Sequence, residues 1–157
     1  MADIRLEIIY YKIPSDFEME FKLACSYKYK ARTLTCRTHS PQEFVSALSR
    51  AVGRNRVIMA VGKLDGELEL CDLIAKATSH PLCAADKARY NITDTEEFLI
   101  PEGAMPLVTN GCAAGCLLES SAQSIILLSD NKTLRDAVMK TLVSPYLTDL
   151  TKHSAQI

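Results

Sequence analysis

Neither sign of charge is in excess in this chain of 157 residues: 18 Lys and Arg face 19 Asp and Glu, a formal charge of −1, and the signs are mixed along the sequence. No basic stripe exists of the kind that tracks a phosphate backbone, so nucleic acid is excluded as an expected partner. Long hydrophobic runs are also missing. The longest, such as Ile125 to Leu128, fall far short of the roughly 18 residues a membrane-spanning helix needs, and no membrane association is expected. The first residues run into Asp3, Arg5 and Glu7 without the apolar region of a secretory signal, which reads as a cytoplasmic protein. There is no internal repeat, low-complexity tract or linker. What remains is an ordinary globular composition, 48% apolar and 24% charged, at a length that supports one domain with its own core.

The six cysteines, Cys25, Cys36, Cys71, Cys83, Cys112 and Cys116, mostly lie within apolar runs and read as buried free thiols. Cys112 and Cys116 are close in sequence, but no second Cys or His pair stands at the spacing a zinc site requires. His39, His80 and His153 sit at element ends or in the tail and read as surface residues. None adjoins a Ser or Cys in a nucleophile elbow, and no catalytic residue is assigned.

Periodicity organises the rest. Ile4–Tyr11 and Thr33–Thr38 read as strands, with a short helix between them over Asp16–Ser26. Ser40-Pro41-Gln42-Glu43 carries the signature of a capped helix start, and Phe44, Leu48 and Val52 follow at four-residue spacing up to Gly53. Arg56–Gly62 is a continuous apolar run, as in a strand buried on both faces. Leu68, Leu70, Leu73, Ile74 and Ala77 predict a further helix ending near His80, and Tyr90–Thr93 is assigned to a short strand. After Met105–Val108 comes a small-residue loop, Thr109–Gly115, then a hairpin of Cys116–Glu119 with Ser124–Leu128. A last helix, capped by Asp130 or Asn131 with Leu134, Val138 and Leu142 on one face, is expected to stop at Pro145, with a polar tail from Thr148. The alternation predicts an α/β fold: a three-layer αβα sandwich on a mostly parallel sheet, with an antiparallel hairpin near the C-terminus.

Such folds bind ligands beyond the carboxyl ends of their strands. Three loops qualify. The first offers Gly62, Lys63, Asp65 and Gly66. Glycine permits close backbone approach, and lysine suits phosphate. Asp65, Glu67, Glu69 and Asp72 gather at the expected start of the next helix, where Glu69 and Asp72 are the candidate ligands for Mg²⁺. The second loop offers Thr109, Asn110, Gly111 and Gly115, whose glycines serve either ligand approach or strand packing, the ligand reading being narrowly preferred. The third offers Ser129, Asp130 and Asn131 at a helix start.

Three pieces of sequence resemble a known family. Arg56–Gly62 leading to Leu68-Glu69 is similar to the strand, glycine loop and acidic pair of the molybdopterin-binding domain of MogA, MoaB and the N-terminal half of CinA. Pro101–Gly115 resembles the CinA stretch that ends in a Gly-Thr-Ala-Pro-Gly loop, and Ile125–Leu128 with Val143–Leu147 resembles its closing strand and helix. The resemblance implies a single molybdopterin-binding-like domain over residues 1–150 with a frayed tail over 151–157, a cytoplasmic setting and commonly a homo-oligomer. It also implies a phosphorylated pterin or nucleotide-type ligand. Lys63 and Asp65 fall where the family has small or glycine residues, Glu69 replaces an aspartate, and Ser129-Asp130-Asn131-Lys132 replaces a Pro-Gly-x-Pro turn. These departures weigh the expectation towards binding without catalysis. The alternatives are an inactive oligomerisation or docking module of a larger protein, and an Mg²⁺-dependent nucleotide pyrophosphatase.

Overall fold

The computed structural model describes residues 5–14 and 32–155, so the helix expected over Asp16–Ser26 lies outside the described residues. Strands β1 (Arg5–Tyr11), β2 (Arg32–Thr38), β3 (Val57–Gly62), β6 (Met105–Thr109), β7 (Cys112–Glu119) and β8 (Ser124–Ser129) form a six-stranded sheet in the order β2-β1-β3-β8-β7-β6. β2, β1, β3 and β8 run parallel, while β7 is antiparallel to both β8 and β6. A separate antiparallel pair joins β4 (Leu82–Ala84) to β5 (Leu99–Pro101).

Both faces of the sheet are apolar because β3 and β8 are buried throughout. On one face Ile9, Ile58, Ala60 and Leu127 pack against Phe44, Leu48, Leu70 and Ile74 of helices α1 (Pro41–Val52) and α2 (Leu70–Ala77). On the other, Leu6, Ile8, Met59 and Ile126 pack against Val138, Met139, Val143 and Leu147 of the C-terminal helices. The three layers expected from the sequence are present. Each such fully buried aliphatic or aromatic side chain contributes about 1.5–3 kcal/mol relative to exposure.

Helix α1 starts as its sequence dictates: Ser40 Oγ accepts the Glu43 amide at 3.2 Å, and the Glu43 carboxylate accepts the His39 amide at 3.3 Å. Ala51 rather than Val52 completes its buried stripe.

Other elements depart from expectation. Leu68 is not helical: its φ is +60° and its side chain is exposed, so α2 begins two residues later. Tyr90 ends a short helix, α3 (Lys87–Tyr90), and Asn91 then turns left-handed at φ 57°, which excludes a strand there. The C-terminal helix does not stop at Pro145. Helix α4 (Lys132–Val138) passes into a π-helical turn over Met139–Val143, and α5 (Ser144–Ala155) continues beyond it through the segment expected as polar tail. The extra residue of a π turn rotates the apolar face, so Met139 and Val143 are buried and Leu142 is exposed. Pro145 lies two residues after the π turn, inside a helical path that stays unbroken through Ser144, so the proline does not end the helix.

Candidate functional site

Topology alone brings the candidate loops to one edge. Gly62 and Ser129, the last residues of β3 and β8, are register partners. β6 runs in the same direction as β8, so its carboxyl end and the β6–β7 turn reach that edge too. What the loops do there differs from the expectation in four places.

Gly62 is required by the sheet. A Cβ at this position would lie 2.9 Å from the Tyr11 carbonyl oxygen, so its lack of a side chain serves the packing of β1 on β3. Beyond it the chain folds back on the helix it precedes: the α2 amides of Leu70 and Cys71 donate to the carbonyls of Lys63 and Leu64, each at 3.0 Å. A helix N-terminus attracts anions through amides that lack intrahelical partners, and here two of those amides are already engaged. Gly66 supports this fold-back with a φ of +124°.

The carboxylates of this loop do not gather as a metal site. Residues 65–69 precede α2 instead of occupying its first turn. Asp72 accepts the Leu68 amide at 2.9 Å and the Lys76 ammonium at 3.0 Å, which hold its carboxyl below the usual range. Glu69 lies 3.9 Å from Lys12. Among the described residues no group of three or more His, Cys, Asp or Glu could hold a metal ion.

The glycine-rich stretch is mostly strand. Only Asn110 and Gly111 form a turn, with φ of 49° and 78°. Two left-handed residues in a two-residue connection are the geometry that Asn-Gly favours in hairpins, a sequence signal that the reading of Thr109–Gly115 as a loop passed over. The Gly111 carbonyl accepts the Thr93 amide at 2.9 Å, and a Cβ on Gly111 would meet Thr93 Oγ1 at 2.2 Å. Gly115 is buried in β7 opposite Leu128, where a Cβ would stand 2.0 Å from the Leu127 carbonyl oxygen. Strand packing therefore accounts for it. Thr109 is half-buried at the end of β6, beside the turn.

The third loop closes on itself. Ser129 Oγ accepts the Asn131 amide at 3.0 Å, Asn131 Oδ1 caps α4 through the Leu134 amide at 3.1 Å, and the Ser129 carbonyl accepts from buried Arg135 at 3.1 Å. Lys63 and Asp130 are left exposed at this edge.

The open space beside these loops is acidic. Asp65 and Glu97 line two adjoining hollows, one of about 350 Å³ with Asp94 and Glu96, the other of about 320 Å³ with Glu67, Asp72 and Leu99. Partial burial, and next the Glu96 carboxylate, push the Asp65 carboxyl up, against the opposing pull of Lys63. Leu68 and Leu99 are 42% and 40% exposed, so apolar surface accompanies the carboxylates.

Of the described cysteines, Cys71 and Cys116 are buried in one core cluster and all are free. The hydrogen bond to Cys116 and burial push the Cys71 thiol up, away from the reactive thiolate. His80, expected at the surface, is half-buried and hydrogen-bonded to Thr78.

No protein-family model matches the chain, and no curated protein matches it. The architecture has a counterpart among solved structures: a crystal structure described as the protein CinA with unknown function, from Thermoplasma acidophilum. It superimposes with a TM-score of 0.67 at 14% identity, over 91% of this chain and 98% of that one. The chain has a CinA-like fold. The α2 fold-back, the Asn-Gly turn and the acidic hollows all lie on that CinA-like frame.

Proposed function

We propose that this CinA-like domain is a docking module without catalytic activity, and that its acidic edge receives a basic, partly apolar segment of another protein. The observation that carries the reading is the group of carboxylates around the two hollows, Asp65, Glu67, Asp94, Glu96 and Glu97, with the exposed Leu99 in the same lining. Lys76, in the same lining, is paired with Asp72, so the carboxylates outnumber the cations there; an acidic surface attracts positive charge and repels phosphate, while leucine supplies apolar contact. The engaged amides of Leu70 and Cys71 support the same reading, since they leave an anion fewer donors.

A labelled peptide of alternating Lys and Leu, followed by fluorescence anisotropy, tests this. Binding should weaken steeply with added salt, and should fall by about tenfold or more in Asp65→Asn/Glu96→Gln/Glu97→Gln. Equal binding to wild type and the triple variant would overturn it. A second reading places a phosphorylated pterin or nucleotide at the same edge, and what favours it is the convergence of the loops after β3, β6 and β8. Titration with nucleotides and phosphorylated pterins, with and without Mg²⁺, separates the two: saturable binding there, without peptide binding, selects the second.

A further inference from the structure

At the opposite edge of the sheet, α1 and α2 end over the adjoining ends of β7 and β8. Between them lies a groove of about 470 Å³, within the range of small-molecule sites. Leu48 and Val52 of α1, Ala77 of α2, and Leu118 and Ile125 of the sheet make it mainly apolar. Glu119 is the one carboxylate in its lining, and it accepts a hydrogen bond from the Tyr146 hydroxyl of α5. No Lys or Arg lines it.

One polar group in this groove has a fixed role. The Thr78 hydroxyl donates its only hydrogen to the Ile74 carbonyl at 2.6 Å, so its oxygen must act as acceptor towards His80 Nδ1 at 2.8 Å. In the neutral ring the proton is therefore on Nδ1, and Nε2 carries the lone pair. The backbone holds this arrangement. Ser79 turns left-handed at φ 59°, and the His80 amide closes the end of α2 on the Ala75 carbonyl at 2.9 Å. Among the described residues none donates to Nε2.

We infer that the groove binds a small, uncharged apolar molecule bearing one N–H or O–H donor, its body on Leu48, Val52, Leu118 and Ile125 and its donor on His80 Nε2. This site lies at the other edge from the carboxylate wall and does not depend on it. Indole is a suitable probe, with 1-methylindole as the same shape lacking the donor. In ¹H–¹⁵N titrations of the full chain, indole should shift amides of Leu48–Val52, Ala77–His80 and Leu118–Gln123. 1-Methylindole should bind about fivefold more weakly, the worth of one net hydrogen bond. His80→Phe should remove that difference, and Val52→Trp, which fills the groove from its exposed wall, should abolish binding of both with the fold intact by circular dichroism. Equal affinity of wild type for the two probes, shifts confined to other residues, or no shift up to the solubility limit of indole would each overturn the inference, and the first needs no variant to fold.

Discussion

Replacing Gly115 with Ala tests whether the glycine of β7 serves the sheet or a ligand. The new Cβ would stand 2.0 Å from the Leu127 carbonyl oxygen, 3.1 Å from its carbon and 3.4 Å from Leu107 Cδ1. The first distance is 1.0 Å inside the 3.0 Å that real Cβ atoms essentially never cross, and the obstacle is backbone, which cannot rotate away. Gly115 does not have a positive φ, so the penalty is steric. β7 must move off β8 by about the overlap, loosening ladder bonds beside Leu128 and repacking Leu107. Overpacking of this kind costs about 1–3 kcal/mol, and a backbone obstacle puts the expected loss near the upper end, about 3 kcal/mol. For a domain of this size that corresponds to a melting temperature lower by roughly 6–12 °C. Circular dichroism melts and urea titrations measure it. Gly53→Ala is the control, since its Cβ would meet only the Arg50 carbonyl oxygen at an ordinary 3.6 Å, and it should be neutral or stabilising by about 1 kcal/mol at most. A Gly115→Ala melt within a degree or so of wild type would refute the packing argument.

Gly111→Ala should also destabilise, by about 1–2 kcal/mol, from the left-handed φ and the encounter with Thr93, and Thr93→Ala should recover part of the loss in a double-mutant cycle of melts. Arg54→Ala strands the buried Glu7 carboxylate, whose Oε1 accepts from Arg54 at 2.8 Å and from Asn55 at 3.1 Å while Oε2 has no partner. Urea unfolding should show a loss of about 2 kcal/mol, and Glu7→Gln added to it should restore part. Burial, and then the Glu119 carboxylate, push the Tyr146 hydroxyl up to about 12. A raised pKa favours the neutral phenol in the fold, so its stabilisation is complete below about pH 10 and disappears as pH rises to about 12. Tyr146→Phe should flatten that part of the stability profile, as followed by chemical denaturation at stepped pH.

Much of the fold was legible because local chemistry and tertiary packing agree. Ser40, Pro41 and Glu43 specify a helix start whatever surrounds them, and the run Val57–Val61 has no polar side to turn to water, so it belongs in the middle of a sheet covered on both faces. The failures fall where one residue decides the phase. The π turn at Met139–Val143 shifts the apolar face by one position, and a heptad-like reading of Leu134, Val138 and Leu142 contains no trace of it. Leu68 is apolar and correctly spaced for α2, yet its backbone is left-handed because its carbonyl receives the Tyr11 hydroxyl at 2.8 Å while its amide goes to Asp72. Those partners are 57 and 4 residues away, and only the first is beyond reach of local pattern.

The convergence of the candidate loops was legible in the sequence, and the contacts each loop makes were not. Strand order puts the ends of β3, β6 and β8 on one edge regardless of side chains, so alternating strands and helices suffice to find it. Glycine, however, marks a close approach without saying what approaches. At Gly62 it is the Tyr11 carbonyl, at Gly115 the Leu127 carbonyl and at Gly111 the Thr93 side chain, each a neighbour distant in sequence. The same ambiguity holds for the α2 amides, which look open in sequence and are answered by carbonyls of Lys63 and Leu64 only because Gly66 and Leu68 reverse the chain between them. Asp94, Glu96 and Glu97 carry no recognisable site pattern in the sequence, and it is the chain's return through β5 and the β6–β7 turn that sets them in one lining with Asp65. An edge inherited from topology thus presents carboxylates in this chain, and its electrostatic character follows from those side chains more than from the frame that carries them.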